Sequence, residues 1–162
     1  MSEPIKTLVT PVRLDYTITA SSAQARFLRH VVEGRLVGER CPDCRKVYVP
    51  PRGACPTCAV PTRDEVVLSQ RGTVTTFCVV NIPYEGRVLE LPYVAASILL
   101  DGADIAIFHL IQEIPASGVR MGLRVEPVWA PPEARRPTLE SILHFRPTGE
   151  PDAAFESFQE HL

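Results

Sequence analysis

The stretch CPDCRKVYVPPRGACPTC, residues 41–58, limits what this chain can fold into more than any other. It holds four of the five cysteines, as two CxxC pairs with ten residues between them. A CxxC turn brings two thiolates within reach of one tetrahedral ion, and two such turns facing each other close its coordination shell. Cys41, Cys44, Cys55 and Cys58 are therefore the expected metal ligands. A closed sulfur shell leaves no position for water or substrate, so the expected role is structural. Soft ligands in tetrahedral array suit zinc, and the same cage also accepts iron. The competing readings are a redox pair and a pair of disulfides. A redox CxxC typically opens a helix after a strand, whereas here Pro42 and Pro56 sit inside each turn and the flanks read as extended. Disulfides are rare in a reducing compartment.

That compartment is the expectation from the rest of the chain. No run of 18 or more apolar residues exists to cross a membrane. The N-terminal MSEPIKTLVTPVRLDYT lacks the basic start and apolar core of a secretory signal, which places the protein in the cytoplasm. A formal net charge of −2 counts against a general binder of phosphate backbones. With 162 residues the chain makes one ordinary domain or two small modules sharing a surface.

The order of local signals divides the chain into five parts. Residues 1–20 read as an extended arm, because Pro4, Pro11 and the β-branched run near Tyr16 disfavour helix. Residues 21–34 read as a helix. Ser21 and Gln24 form a capping-box pair, Phe27, Leu28, Val31 and Val32 share one face, and Gly34 provides a stop. Residues 35–62 form the cysteine-bearing ribbon. Residues 63–130 hold five short strand-like segments, at 65–69, 73–80, 93–100, 104–111 and 124–130, with Asp101-Gly102 as a hairpin turn. Five short strands in this span predict a small Greek-key barrel of the OB type. Residues 131–162 are rich in proline and glutamate and read as a tail, either loose or strapped onto the barrel or a partner. The fold class is thus mainly β, and a metal compensates for the few apolar residues of the ribbon.

Outside the cysteine pairs, little points to chemistry. Cys78 lies in an apolar strand, TFCVV, and is expected to be buried as a small hydrophobe rather than to act as a nucleophile. His30, His109, His144 and His161 are scattered, and His109 is read as facing solvent or a partner. Neither GxxxxGK[ST] nor GxGxxG is present. Arg71, Arg87, Arg120 and Arg124 lie near barrel loops, as surface charge or as contacts for cofactor phosphates or acidic groups.

The succession FLRHVVEG, LVGERCPDCRKVYVPPR, CPTC, RGTVTTFCVV, LPYVAASILLDGA and MGLRVEPV resembles the zinc-ribbon/OB-fold family of acyl-CoA-associated proteins, long catalogued as a domain of unknown function. The resemblance spans residues 22–130. It implies an N-terminal helix, a rubredoxin-like zinc ribbon and a C-terminal OB barrel. It also implies a non-catalytic partner of thiolase-superfamily enzymes, among them acetoacetyl-CoA thiolases, hydroxymethylglutaryl-CoA synthases and lipid-transfer-protein-like thiolases. The tail RRPTLESILHFRPTGEP is similar to versions that accompany steroid side-chain aldolases. The family supplies no catalytic residue to carry over. One departure stands out: family ribbons often place glycine directly after a CxxC, where this chain has Arg45 and Ala59.

The expected function is an accessory subunit that docks on a thiolase-like enzyme acting on acyl-CoA thioesters, with a CoA thioester at or near the interface. The alternative is a single-stranded nucleic-acid module, which needs a basic groove and stacking aromatics such as Phe77, Tyr84, Tyr93 or Phe108. A free-standing acyl-transfer enzyme lacks a nucleophile and base in the sequence.

Overall fold

A computed structural model describes residues 6–8, 10, 14–15, 17–83, 86 and 89–162. Pro4, Pro11 and Tyr16 of the expected arm lie outside the described residues, and 17–20 form neither helix nor strand. The helix α1 runs Ser22–Val32. Its start is a capping box: the Gln24 amide donates to the Ser21 hydroxyl at 3.2 Å, and the Ser21 amide donates to Gln24 Oε1 at 2.9 Å. Ala23, Phe27 and Val31 form its buried stripe. Gly34 ends it at φ +76°, a conformation glycine adopts without the Cβ penalty.

Two sheets follow. The first has strand order β2-β1-β3, with β1 Val37–Arg40, β2 Val47–Tyr48 and β3 Asp64–Val67. The second is a closed five-stranded barrel in the order β4-β5-β6-β8-β7. Its strands are β4 Gly72–Val80, β5 Tyr93–Leu100, β6 Ile107–Ile111, β7 Arg124–Trp129 and β8 Ile142–Pro147. The β5–β6 connection turns at Asp101-Gly102, where the Ala103 amide donates to the Leu100 carbonyl at 2.9 Å. One core runs through both sheets: Phe27, Leu36, Val47 and Leu68 pack in the same cluster as Val74, Ile98 and Phe145.

The strands that close the barrel are not the five expected. The segment expected as a barrel strand at 65–69 pairs antiparallel with β1 instead, with Glu39 opposite Glu65. Its exposed, charged start suits the rim of a small sheet, while Leu68 alone drops into the core. The fifth barrel strand, β8, comes from the proline-rich segment. It pairs antiparallel with β7 and touches β6 in parallel at Ile111 and Phe145. Ile142 and Phe145 both face the core although three residues apart, because the register slips between Val128 and Trp129. That slip removes the period-2 signal a regular strand would show.

Beyond β8 the chain is a strap on the barrel. Arg120 grips both carboxylate oxygens of Asp152 at 2.6 and 2.7 Å, and Arg71 pairs with Glu150. The Ala153 amide donates to the Gly122 carbonyl at 2.8 Å, and Phe158 is buried. Gly122 sits at φ +86°, and a Cβ there would lie 2.9 Å from the Ala153 carbonyl oxygen.

A buried carboxylate ties the helix to the ribbon. Glu39 of β1 is 1% exposed, accepts from the Thr62 hydroxyl at 2.9 Å and pairs with Arg26 of α1. Removing the cation leaves an unpaired buried charge, so Arg26→Ala is expected to cost about 3 kcal/mol in urea unfolding. The double replacement Arg26→Met/Glu39→Leu should recover most of that loss, since apolar pairs substitute well for buried ion pairs.

Candidate metal centre

The two cysteine turns are built alike. In the first, the Cys41 amide donates to the Lys46 carbonyl at 2.8 Å and the Arg45 amide to the Cys41 carbonyl at 3.1 Å. In the second, the Cys55 amide donates to the Val60 carbonyl at 2.8 Å and the Ala59 amide to the Cys55 carbonyl at 2.9 Å. The residues directly after each CxxC, Arg45 and Ala59, have positive φ of 66° and 57°. These are the positions where the family resemblance implies glycine. A side chain in this conformation costs roughly 1–2 kcal/mol, so both turns carry strain directly after the CxxC.

This duplicated geometry gathers the four cysteines. Their sulfurs all lie within 4.8 Å of one another, and Cys44 Sγ is 3.7 Å from Cys55 Sγ. A tetrahedron of sulfurs around zinc, with Zn–S near 2.3 Å, has edges of about 3.8 Å. The cluster therefore fits a tetrahedral ion. It does not fit disulfides, which need bonding contact near 2.05 Å; all five cysteines are free.

The surroundings treat the sulfurs unequally. The Tyr48 hydroxyl, itself buried, lies 3.2 Å from Cys55 Sγ. Donating to that sulfur pulls the Cys55 thiol down to about 6 and pushes the Tyr48 phenol up to about 12. Burial, with the Cys44 hydrogen bond next, pushes Cys58 up to about 12. Without a cation, then, one sulfur ionises readily and another resists. A divalent ion at the centre would remove that conflict by favouring the thiolate form of all four.

The remaining candidates separate. Cys78 is exposed rather than buried: β7 pairs with β4 only at Gly72 and Thr73, and residues 76–79 beyond that pairing are all exposed. It shares a row with Ala95 and Leu110, while His109 lies in the next row with Phe77 and Ala96. Neighbouring rows face opposite sides of a sheet, so Cys78 and His109 do not form a pair. His109 does not face solvent as expected: its ring packs edge-on against the buried Phe145 at 5.6 Å, and burial lowers its pKa. The same alternation puts Phe77 and Phe108 on opposite faces, so they make no shared stacking platform. Tyr84 lies outside the described residues.

The barrel arginines are occupied. Arg124 grips both oxygens of Asp101 at 2.7 and 2.6 Å and donates to the Thr73 hydroxyl. Arg71 and Arg120 hold the strap, and Arg87 lies outside the described residues. Among the described residues, no helix is long and apolar enough to cross a membrane.

Against known proteins, a DUF35 domain-containing scaffold protein of Methanocaldococcus jannaschii is 37% identical over 107 residues, 64% of this chain and 74% of that protein. The chain belongs to the DUF35 family. The rubredoxin-like zinc ribbon domain of ChsH2 matches residues 30–62, and the C-terminal OB-fold domain of ChsH2 matches residues 65–130. A second DUF35 scaffold protein, from Methanothermobacter thermautotrophicus, is 28% identical over 64% of this chain and 79% of its own length. Among solved structures, a chain of the Ltp2-ChsH2(DUF35) aldolase superposes with a TM-score of 0.62 at 25% identity. The match covers 81% of this chain and 98% of that one. A DUF35 protein of unknown function from Sulfolobus solfataricus superposes with a TM-score of 0.57 at 19% identity, over 66% and 78% of the two chains, and shares the fold. The DUF35 assignment accounts for the order helix, ribbon, barrel seen here.

Proposed function

We propose that this chain is a non-catalytic accessory subunit that docks on a thiolase-superfamily enzyme of the lipid-transfer-protein-like type, acting on acyl-CoA thioesters in the cytoplasm. The observation that carries this reading is the end-to-end likeness to a chain of the Ltp2-ChsH2(DUF35) aldolase, 98% of which is covered. The two relatives named as scaffold proteins support the same role. The reaction served is carbon–carbon cleavage or formation, in steroid side-chain degradation if the likeness extends to substrate. Its acid, base and nucleophile come from the enzyme chain.

Within such a complex, the chain's own part is positioning. Cys41, Cys44, Cys55 and Cys58 hold a structural zinc ion, which fixes the two turns of the ribbon. The ribbon packs on the same core as the barrel, so the ion sets the shape of the whole docking body. Ordering an enzyme loop or the pantetheine arm of a CoA thioester raises turnover without a reacting group from this chain.

Affinity purification of the tagged chain from its native host tests the reading. A thiolase-superfamily chain should be recovered in near-equal amount, and Cys41→Ser should lose it together with its zinc. Recovery of the wild-type chain alone would overturn the accessory role.

A further inference from the structure

Charge is unevenly spread over this chain. Residues 40–63 contain Arg40, Arg45, Lys46, Arg52 and Arg63 against Asp43 and no other acid. With neutral thiols the ribbon tip carries +4 in a chain whose total is −2, which leaves −6 for the rest; zinc held by four thiolates brings the tip to +2. The cations also differ in what they touch. Arg26, Arg35, Arg40, Arg71, Arg120, Arg124 and Arg146 are each paired with a carboxylate. Among the described residues, Arg29 of the helix and Arg45, Lys46, Arg52 and Arg63 of the ribbon tip are exposed and have no carboxylate partner, while Arg135 and Arg136 donate to backbone carbonyls. The Arg52 guanidinium lies 6.0 Å from the Tyr48 ring.

We infer that the tip of the ribbon is an electrostatic docking surface, and that its occupant is an acidic face of the partner enzyme, met by Arg45, Lys46, Arg52 and Arg63. The inference rests on the accessory reading and names the surface through which it acts. Convex, exposed turns suit a broad acidic face. Nucleic acid fits less well, because Tyr48, the ribbon's aromatic ring, is buried and offers no platform for a base. The surface works by steering: complementary charge raises the rate of encounter and fixes orientation.

The test uses the full chain loaded with zinc, as wild type, as Arg52→Glu/Arg63→Glu, as the milder Arg52→Gln/Arg63→Gln, and as the barrel control Arg146→Gln. The probes are a fluorescein-labelled oligoglutamate of about ten residues and an oligothymidylate of similar charge, read by anisotropy at low and physiological salt. Oligoglutamate should bind the wild type and the control alike. It should bind the glutamate variant about tenfold more weakly or worse, with the glutamine variant between, and the wild-type affinity should fall with salt. Zinc content should stay at the wild-type level throughout. Unchanged oligoglutamate binding would overturn the inference, and so would tighter binding of the oligonucleotide than of oligoglutamate. Zinc loss in the variants would assign the cations to the metal centre instead. Salt-sensitive self-association of the wild type, absent in the glutamate variant, would make the occupant a second copy. The same variants are then carried through the native-host purification. If the glutamate variant recovers the enzyme as well as wild type at every salt concentration, the ribbon assignment fails and the accessory role stands. If the wild type recovers no enzyme, the accessory role fails and the enzyme as occupant fails with it.

Discussion

Removing the metal unfolds the two cysteine turns, residues 41–46 and 53–60, while the barrel strands persist. The tip of the ribbon has little else to hold it: its own buried cluster consists of Cys41, Tyr48 and Cys55, with Cys44, Cys58, Val60 and Ile105 packed around it. Structural zinc in small ribbons supplies about 10–16 kcal/mol at neutral pH, more than such a cluster can replace. Treatment with a strong chelator should therefore strip amide-exchange protection from the two turns first, and Cys55→Ser should do the same without chelator. Acid should act in the same direction. The ion binds thiolates, so protons compete with it, and the stabilisation is present at neutral pH and lost as pH falls. Full protection of the two turns in metal-free protein at pH 7 would show that the sulfur cluster is not structural.

Phe145→Ala is expected to cost about 3–5 kcal/mol in urea unfolding, as large-to-small changes in a filled core do. Phe145 has no exposed surface and sits where β8 meets both β6 and β7. Leu143, two residues before it on the bulge, is half exposed; Leu143→Ala should cost far less. Equal costs for the two would mean that β8 is not the strand closing the barrel. A chain ended after Ala130 lacks β8 altogether and should fail to close the barrel.

These two experiments address the part of the structure most legible in the sequence and the part least so. Cys41, Cys44, Cys55 and Cys58 announce themselves by spacing, and the structure brings their sulfurs together as a CxxC repeat requires. The helix announces itself through Ser21, Gln24 and Gly34, local signals that act within one turn. Strand partnership is different, because it is decided by residues far apart in the chain. Nothing local decides whether the short segment at 64–67 joins the ribbon sheet or the barrel. β8 is harder still, since the slip opposite Val128 and Trp129 breaks the alternation that marks a strand. The fate of Cys78 was hidden for a related reason: apolar neighbours predict burial only where a strand is flanked on both sides, and beyond Thr73 β4 has no β7 partner. The idle cations of the ribbon could be found in the sequence as a local excess of Arg and Lys. That the barrel arginines are occupied could not, because Asp101, Glu150 and Asp152 reach them only through the fold.

The shared core has a consequence for anyone who would treat ribbon and barrel as interchangeable parts. Leu36, Val47, Val49 and Leu68 from the ribbon side lie in one apolar cluster with Val74, Ile98 and Phe145 of the barrel. β3, at the border between them, belongs by hydrogen bonds to the ribbon. A chimera joined just before Asp64 would take one of three strands from the donor sheet and cut through the core that ribbon and barrel share. Grafting would have to move residues 22–68 as a block, because the joint in the fold lies several residues beyond the joint suggested by the cysteines.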